Sequence, residues 1–296
     1  MNPYYKEYSE FLAEHFSGKV QKLPVDVGFT CPNRDGTLGR GGCIYCDNRA
    51  FSPDWSKRRE SVAVQIARGK AFFSRKYSDM RYLAYFQSYT STYAPEDRLL
   101  ACYREALAQP EIVGIVIGTR PDCMPDSLLD ALGTLGAEVF VEFGAESSHD
   151  VTLTAINRCH TWAHTVDAVM RTAARGFPVG VHLILGLPGE TEAMMAETVR
   201  RVGELPVSVV KFHQLQILRG TALAEMAPET DIPLYTAEEY ASLCARLLRN
   251  LRRDIAVERF VSQAPQTMLI SPRWGLKSSQ FIALLHKKLG ENLNEM

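Results

Sequence analysis

Six short β-branched or apolar runs alternate with segments of helical periodicity, and this alternation constrains the fold more than any other feature. The runs lie at 23–30, 81–88, 112–118, 137–144, 179–186 and 207–217. The helical segments fall near 60–77, 96–108, 125–135, 161–175 and 190–203, with a further amphipathic helix at 3–16. Strands separated by helices must cross over to lie parallel, so the chain is α/β and built of βαβ units. The count suits a partial (β/α)6 barrel. A doubly wound sheet would carry a Gly-rich phosphate turn after its first strand. Here that turn is occupied by cysteines instead.

That loop reads CPNRDGTLGRGGCIYC and holds Cys31, Cys43 and Cys46 in the spacing C-x11-C-x2-C. A structural zinc site closes with four N or S ligands, and an Fe–S cluster normally takes four cysteines. No fourth cysteine and no histidine follows within the next 50 residues. Three thiolates hold three irons of a [4Fe–4S] cube and leave the fourth open to a substrate; a zinc site completed by a distant histidine is the alternative. The glycines of the loop permit close backbone approach to a ligand. In a parallel barrel, functional residues collect where the strands end at their C-terminal edge. Each later strand end here is polar or Gly-rich: QSYT at 87–90, GTRPDC at 118–123, EFGAES at 142–147, GLPGE at 186–190 and HQLQ at 213–216.

Composition excludes several classes. The 33 basic and 34 acidic residues nearly cancel, which argues against wholesale nucleic-acid binding and leaves room for a local basic patch. No run approaches the ~18 apolar residues that span a bilayer, and the N-terminus lacks the apolar centre of a signal peptide. A cytoplasmic protein without membrane partners is expected. Seven cysteines, unevenly spread, do not form a disulfide framework. Cys102 and Cys244 read as small buried hydrophobes on helices.

The cysteine loop, taken with YFQSYTSTYAP, GTRPDC, VEFGAESSHD, INRCHT, HLILGLPGET and KFHQLQILRGT in order along residues 5–290, resembles the radical S-adenosylmethionine (SAM) superfamily. Within it the chain is similar to the YhcC/YtqA-like proteins, related to the elongator-type and coproporphyrinogen-dehydrogenase-type branches. The resemblance implies a TIM-like partial barrel with two cofactors, a [4Fe–4S] cluster on Cys31, Cys43 and Cys46 and SAM on the open iron. Reductive cleavage of SAM would yield a 5′-deoxyadenosyl radical, with an electron from a flavodoxin or ferredoxin. The usual spacing is C-x3-C-x2-C; the elongator-type branch shares a lengthened first gap. Tyr45 would lie against adenine. Glu142, Glu146 and Ser147 would take the ribose and methionyl groups, and Arg158 the SAM carboxylate, which a guanidinium matches bidentately. Ile184, Gly186, Leu215 and Gln216 would complete the adenine site. Gln87 replaces part of a Gly-Gly-Glu motif, and Glu190 is expected to start the following helix, where an acid suits the helix dipole.

The third strand end is not needed for SAM. Arg120, Asp122 and Cys123 are therefore candidates for reading the substrate, Cys123 as hydrogen-atom donor or covalent acceptor. Relatives of this kind act on tRNA wobble uridines or on porphyrins and other small molecules. Basic residues at Lys57-Arg58-Arg59, at Arg246, Arg249 and Arg253, and at Arg273, Lys277, Lys287 and Lys288 favour tRNA as partner. A small metabolite is the second reading, and a cluster-bearing redox sensor without catalysis the third. The barrel is expected over 1–227. Residues 228–296 form an extension packed on it, with a helix near 236–252, a short strand at 255–261 and a last helix at 278–289.

Overall fold

The six expected strands all form, and two more join them. In the computed structural model, which describes residues 2–293 except 54, 57–59, 75–78 and 231, the strands are β1 (Lys6–Glu7), β2 (Val20–Val25), β3 (Arg81–Phe86), β4 (Ile112–Thr119), β5 (Glu138–Glu146), β6 (Val179–Leu185), β7 (Val209–Gln214), β8 (Ile217–Leu218), β9 (Ala256–Arg259) and β10 (Leu269–Ser271). An eight-stranded sheet runs in the order β1-β9-β7-β6-β5-β4-β3-β2. All its pairings are parallel. It ends in two edges and does not close, as a partial barrel requires. The helices are α1 (Tyr8–His15), α2 (Pro32–Asp35), α3 (Val62–Ser74), α4 (Glu96–Leu107), α5 (Asp126–Leu132), α6 (Asp150–Ala155), α7 (Trp162–Ala174), α8 (Glu192–Gly203), α9 (Ala222–Met226), α10 (Ala237–Leu247) and α11 (Ser278–Leu293).

Several boundaries differ from the sequence expectation for local reasons. The first strand starts at Val20, not Leu23, and holds Pro24 because β2 is an edge where a missing N–H breaks no ladder. It stops at Val25 because Asp26 turns the chain, its carboxylate accepting from Gly28 N at 2.8 Å. The segment 3–16 is not one helix: β1 precedes α1, too short to show any alternation. The run at 207–217 divides into β7 and β8, and β8 leaves the main sheet to pair antiparallel with β10. From the C-terminal region, β9 inserts between β7 and β1 and so extends the sheet itself. No helix among the described residues is long and apolar enough to cross a membrane.

Alternation along the strands separates two faces. Leu23, Ala84, Phe86, Ile117, Val141, Phe143, Leu183 and Phe212 face the helices in the main core. On the inner face, Leu83, Val116, Phe140, Val209 and Ala256 pack around Phe11 and Phe16, so α1 plugs one end of the barrel. Beyond that plug the inner positions turn polar: Lys22, Glu142, His182, Lys211 and Glu258 come from five different strands. A core position is costly for such residues unless they pair. Their presence marks the end of the structural core and the start of something else.

Candidate active site

The cysteine loop is shaped by its backbone. Cys31 precedes α2, Pro32 takes the first helical position, and Gly36 ends the turn at φ 97°. Leu38 N then donates to Pro32 O at 2.8 Å and Gly42 N to Asn33 O at 2.9 Å, folding the loop over the helix. Asn33, fully buried, donates to Asn157 O at 2.5 Å and lies 3.7 Å from Cys43 Sγ. Gly39 sits so close that a Cβ there would meet Asn33 Oδ1 at 2.2 Å, so this glycine is a spatial requirement. Asn157 Nδ2 in turn donates to Gly42 O at 2.8 Å. The loop and the turn after α6 are thereby clamped together, and this clamp carries Arg158 to the three thiols.

Cys31, Cys43 and Cys46 line one end of a pocket that opens at the C-terminal ends of the strands. Arg158 Nη1 lies 3.6 Å from Cys43 Sγ, and Nη2 donates to Gly144 O at 2.6 Å and sits 3.4 Å from Glu146. Burial disfavours its charge, but Tyr45, Cys43 and Glu146 outweigh that and hold the guanidinium above its ordinary range. Burial raises the Glu146 carboxyl against the pull of Arg158 and a hydrogen bond from Tyr45. Burial and then the neighbouring Cys43 push the Cys46 thiol up to about 12, so a thiolate there needs a cationic centre beside it. Four buried polar atoms on the pocket wall have no hydrogen-bond partner: Thr90 Oγ1, Arg158 Nε, Gln216 Oε1 and Arg259 Nε. Buried polar atoms are normally satisfied, so these four leave hydrogen-bonding capacity on the pocket wall.

Backbone strain concentrates in the same place. The non-glycine residues at positive φ include Tyr89 (56°), Glu146 (66°), Asn157 (53°) and Cys159 (58°). Tyr89 and Glu146 line the pocket, and the other two flank Arg158. Such residues cost on the order of 1–3 kcal/mol each and persist where the surroundings hold them for a purpose. At Glu146 the strain accompanies a bulge, the β5–β6 register slipping between Gly144 and Glu146.

The other expected site residues divide. Tyr45, Gln87, Glu142, Ile184, Leu215, Gln216 and Arg120 line the pocket; Asp122, Cys123, Ser147 and Gly186 do not. Ile184 and Leu215 pack with Ile44 and Tyr45 into one apolar wall. Gln87 donates to Phe51 O at 3.1 Å. Glu142 offers no free oxygen: Lys22 Nζ holds one at 2.6 Å, and Lys211 Nζ (2.6 Å) and His182 Nε2 (3.1 Å) hold the other. The Lys211 ammonium also reaches the Tyr85 hydroxyl at 2.9 Å and Glu258 at 3.2 Å. Ser147 is turned away to donate to Glu190, which is itself buried and does not start α8. Thr191 caps that helix, accepting from Met194 N. Gly186, at φ 87°, faces Tyr235.

Arg120 forks onto Asp122 at 2.9 and 2.8 Å and donates to Arg158 O at 2.9 Å. Burial opposes the Asp122 charge, but that fork keeps its carboxyl below the usual range. The pair thus supports the backbone on which Arg158 rides. Burial, then Asp122, pushes the Cys123 thiol up to about 12. Of the basic stripe, Arg246 is paired with Glu192, and Arg253 donates to the backbone of Tyr4. Arg273 is likewise engaged, with Leu269 O at 2.6 Å. Lys57-Arg58-Arg59 lie outside the described residues. Sequence reasoning missed Arg34, His182, Arg259 and Ser262 as pocket residues. Lys211 and His213 alternate visibly in their strand, so the inner polar row was there to find; Arg259 and Ser262 come from the far end of the chain and gave no local signal.

Comparison with known proteins bears on this arrangement. The family model for the radical SAM superfamily matches residues 30–202, and one described as Radical_SAM C-terminal domain matches 207–291. Protein YhcC of Escherichia coli is 38% identical over 266 residues, 89% of this chain and 85% of that protein. YtqA of Bacillus subtilis is 33% identical over 287 residues, 96% of this chain and 89% of that protein. A tRNA uridine(34) acetyltransferase of Methanocaldococcus jannaschii is 26% identical over 183 residues, 61% of this chain but 33% of that protein. Among solved structures, archaeal Methanocaldococcus infernus Elp3 superposes with a TM-score of 0.67 at 18% identity, over 94% of this chain and 64% of that one. The three-cysteine pocket at the mouth of an open parallel barrel therefore belongs to an enzyme, and the chain is a member of the radical SAM superfamily.

Proposed function

We propose that Cys31, Cys43 and Cys46 hold the [4Fe–4S] cluster of this superfamily and that Arg158, Glu146, Tyr45, Ile184 and Leu215 hold SAM beside it. The carrying observation is Arg158, a buried guanidinium against Cys43 whose Nε has no partner. A carboxylate of the methionyl moiety would give it one, through charge-assisted hydrogen bonds. The donor set fits a cluster with one open iron: three thiols on one pocket end, Cys31 and Cys43 buried and Cys46 half-buried, with a guanidinium beside Cys43. Bound there, the cluster and SAM would supply radical chemistry, with the electron coming from a flavodoxin- or ferredoxin-type reductant. Within the pocket, Glu146, strained at positive φ, would offer its carboxylate to ribose hydroxyls. The apolar wall of Tyr45, Ile184 and Leu215 would offer a face for adenine. Arg120 and Asp122 keep the Arg158 segment in place.

The substrate we infer is a tRNA wobble uridine side chain. Support comes from the partial relative that carries the name tRNA uridine(34) acetyltransferase. Arg34 and Tyr89, stacked as a cation over a ring at 5.2 Å on the pocket wall, are a platform of the kind that holds an unstacked base. Mass spectrometry of tRNA nucleosides from a strain lacking the gene tests this: one wobble uridine derivative should disappear and its precursor accumulate. An unchanged profile would point to a small metabolite instead.

A further inference from the structure

The pocket has a second end. Away from the thiols it is lined by Tyr85, His182, His213, Arg259 and Ser262, which the proposed SAM contacts do not use. They adjoin the polar inner row described above, Tyr85 through Lys211 and His213 through His182. Its charges do not cancel. Lys22, Lys211 and Arg259 are cations, while Glu142 and Glu258 are the anions, and each of those two carboxylates is already paired with both lysines or with lysines and His182. Burial drives the pKa of His182 down to about 4 and that of His213 well below its ordinary value, so neither adds or offsets charge at neutral pH. Arg259 is the remainder. No carboxylate among the described residues pairs with it; its Nη2 lies 3.4 Å from His213 Nε2, and its buried Nε has no partner.

Arg259 is at the pocket for a structural reason. Alternation would send it to the opposite face from Glu258. The β7–β9 register slips, however, pairing Val210 with Val257 and then Lys211 with Arg259. The bulge turns two successive side chains to the inside: Glu258 reaches Lys22 and Lys211, and Arg259 reaches the pocket wall. Bulges near a site re-aim side chains in this way. Arg259 is half-buried, but its Nε is fully enclosed, and an enclosed donor without a partner is unfavourable unless a ligand supplies one.

We propose that this end of the pocket is an oxyanion subsite in which Arg259 receives a carboxylate or phosphate group of the substrate. The assignment rests on SAM occupying the thiol end. It places the anionic group of the substrate across the pocket from Arg158 and its neighbours, so the atom attacked by the radical lies between two guanidinium-marked ends.

The test uses the full-length, cluster-reconstituted protein, with melting temperature and SAM affinity both measured at constant ionic strength. Sodium acetate and inorganic phosphate are the probes, with sodium chloride balancing the salt. A saturable rise in melting temperature with acetate points to a carboxylate, and one with phosphate to a phosphoryl group. In Arg259→Gln the midpoint of that rise should move at least tenfold to higher anion concentration, while the SAM dissociation constant stays within twofold. Without anion, Arg259→Gln should melt no lower than the native protein, since the substitution removes an uncompensated cation. The proposal is overturned if neither anion gives a saturable rise, if the variant responds like the native protein, or if the anions compete with SAM. The two readings fail separately: loss of SAM binding in the native protein would refute the cofactor assignment, whatever the anions do.

Discussion

At the scale of single residues, the site is governed by what burial does to charge. Arg158 is held by a carbonyl, a carboxylate and a thiol, with one nitrogen left over. Lysine at this position would keep the charge and lose the fork. Arg158→Lys should therefore weaken SAM binding by roughly ten- to a hundredfold, the loss of about 1.5–3 kcal/mol expected for a charged hydrogen bond; equilibrium dialysis with SAM measures it, and unchanged affinity would remove Arg158 from the SAM site. Lys211 stands differently. It bridges Glu142 and Glu258, and truncating it leaves buried carboxylates short of a partner. Lys211→Met should cost about 3–5 kcal/mol in urea unfolding, and a loss below about 1 kcal/mol would show the network to be dispensable.

Protonation follows from the same burial. His160 and His182 titrate in the folded chain at about 3 and about 4, chiefly because burial, then neighbouring cations, disfavour the charged ring. The unfolded chain takes up those protons near 6.5, so a depressed folded value means stability is fully present above pH 6.5 and falls as pH drops toward 4. The urea midpoint should be lower at pH 5 than at pH 7, and His160→Gln should flatten part of that slope. An identical slope in the variant would mean that the ring is not the titrating group.

At the scale of elements, α1 and β9 do work that local sequence patterns did not announce. Phe11 on α1 meets the inner sheet, its ring 5.7 Å from that of Phe140. A plug of this kind stabilises by its packed volume, so Phe11→Ala should cost about 3–5 kcal/mol; thermal unfolding reads it, and a cost under 1 kcal/mol would mean that α1 merely lies on the barrel end. The strands that alternate with helices were legible because each is long enough to show its period and is bounded by turn residues. β1 was not, having two residues. Nor was the role of β9, since a short strand says nothing of which neighbours it will join. The bulges at Glu146 and Arg259 were also hidden, because a register slip arises from pairing and leaves no mark on one strand. The three thiols stood out because their spacing is local, whereas Arg158 was singled out only by the family resemblance and its place beside Cys43 emerges from the fold. The ion network was missed because Glu142 looked like a free strand-end acid until Lys22 and Lys211 arrived from distant strands.

At the scale of the molecule, an open sheet of eight parallel strands supports a pocket whose two ends differ in chemistry. One end has three thiols, a guanidinium and an apolar wall; the other has two imidazoles, a tyrosine and the guanidinium of Arg259. The helices cover the outer face, α1 closes the bottom, and the top is left to the loops that bear function. This division is what a radical enzyme needs, since the reactive species must form in a dry place and meet its target nearby. The measurement that bears most directly on it is anaerobic incubation of the cluster-reconstituted protein with SAM and dithionite, followed by chromatography for 5′-deoxyadenosine. The native protein should release it, and Cys46→Ala, with iron content reduced, should not. Iron bound as before in Cys46→Ala, or no 5′-deoxyadenosine from the reduced native protein, would contradict the account.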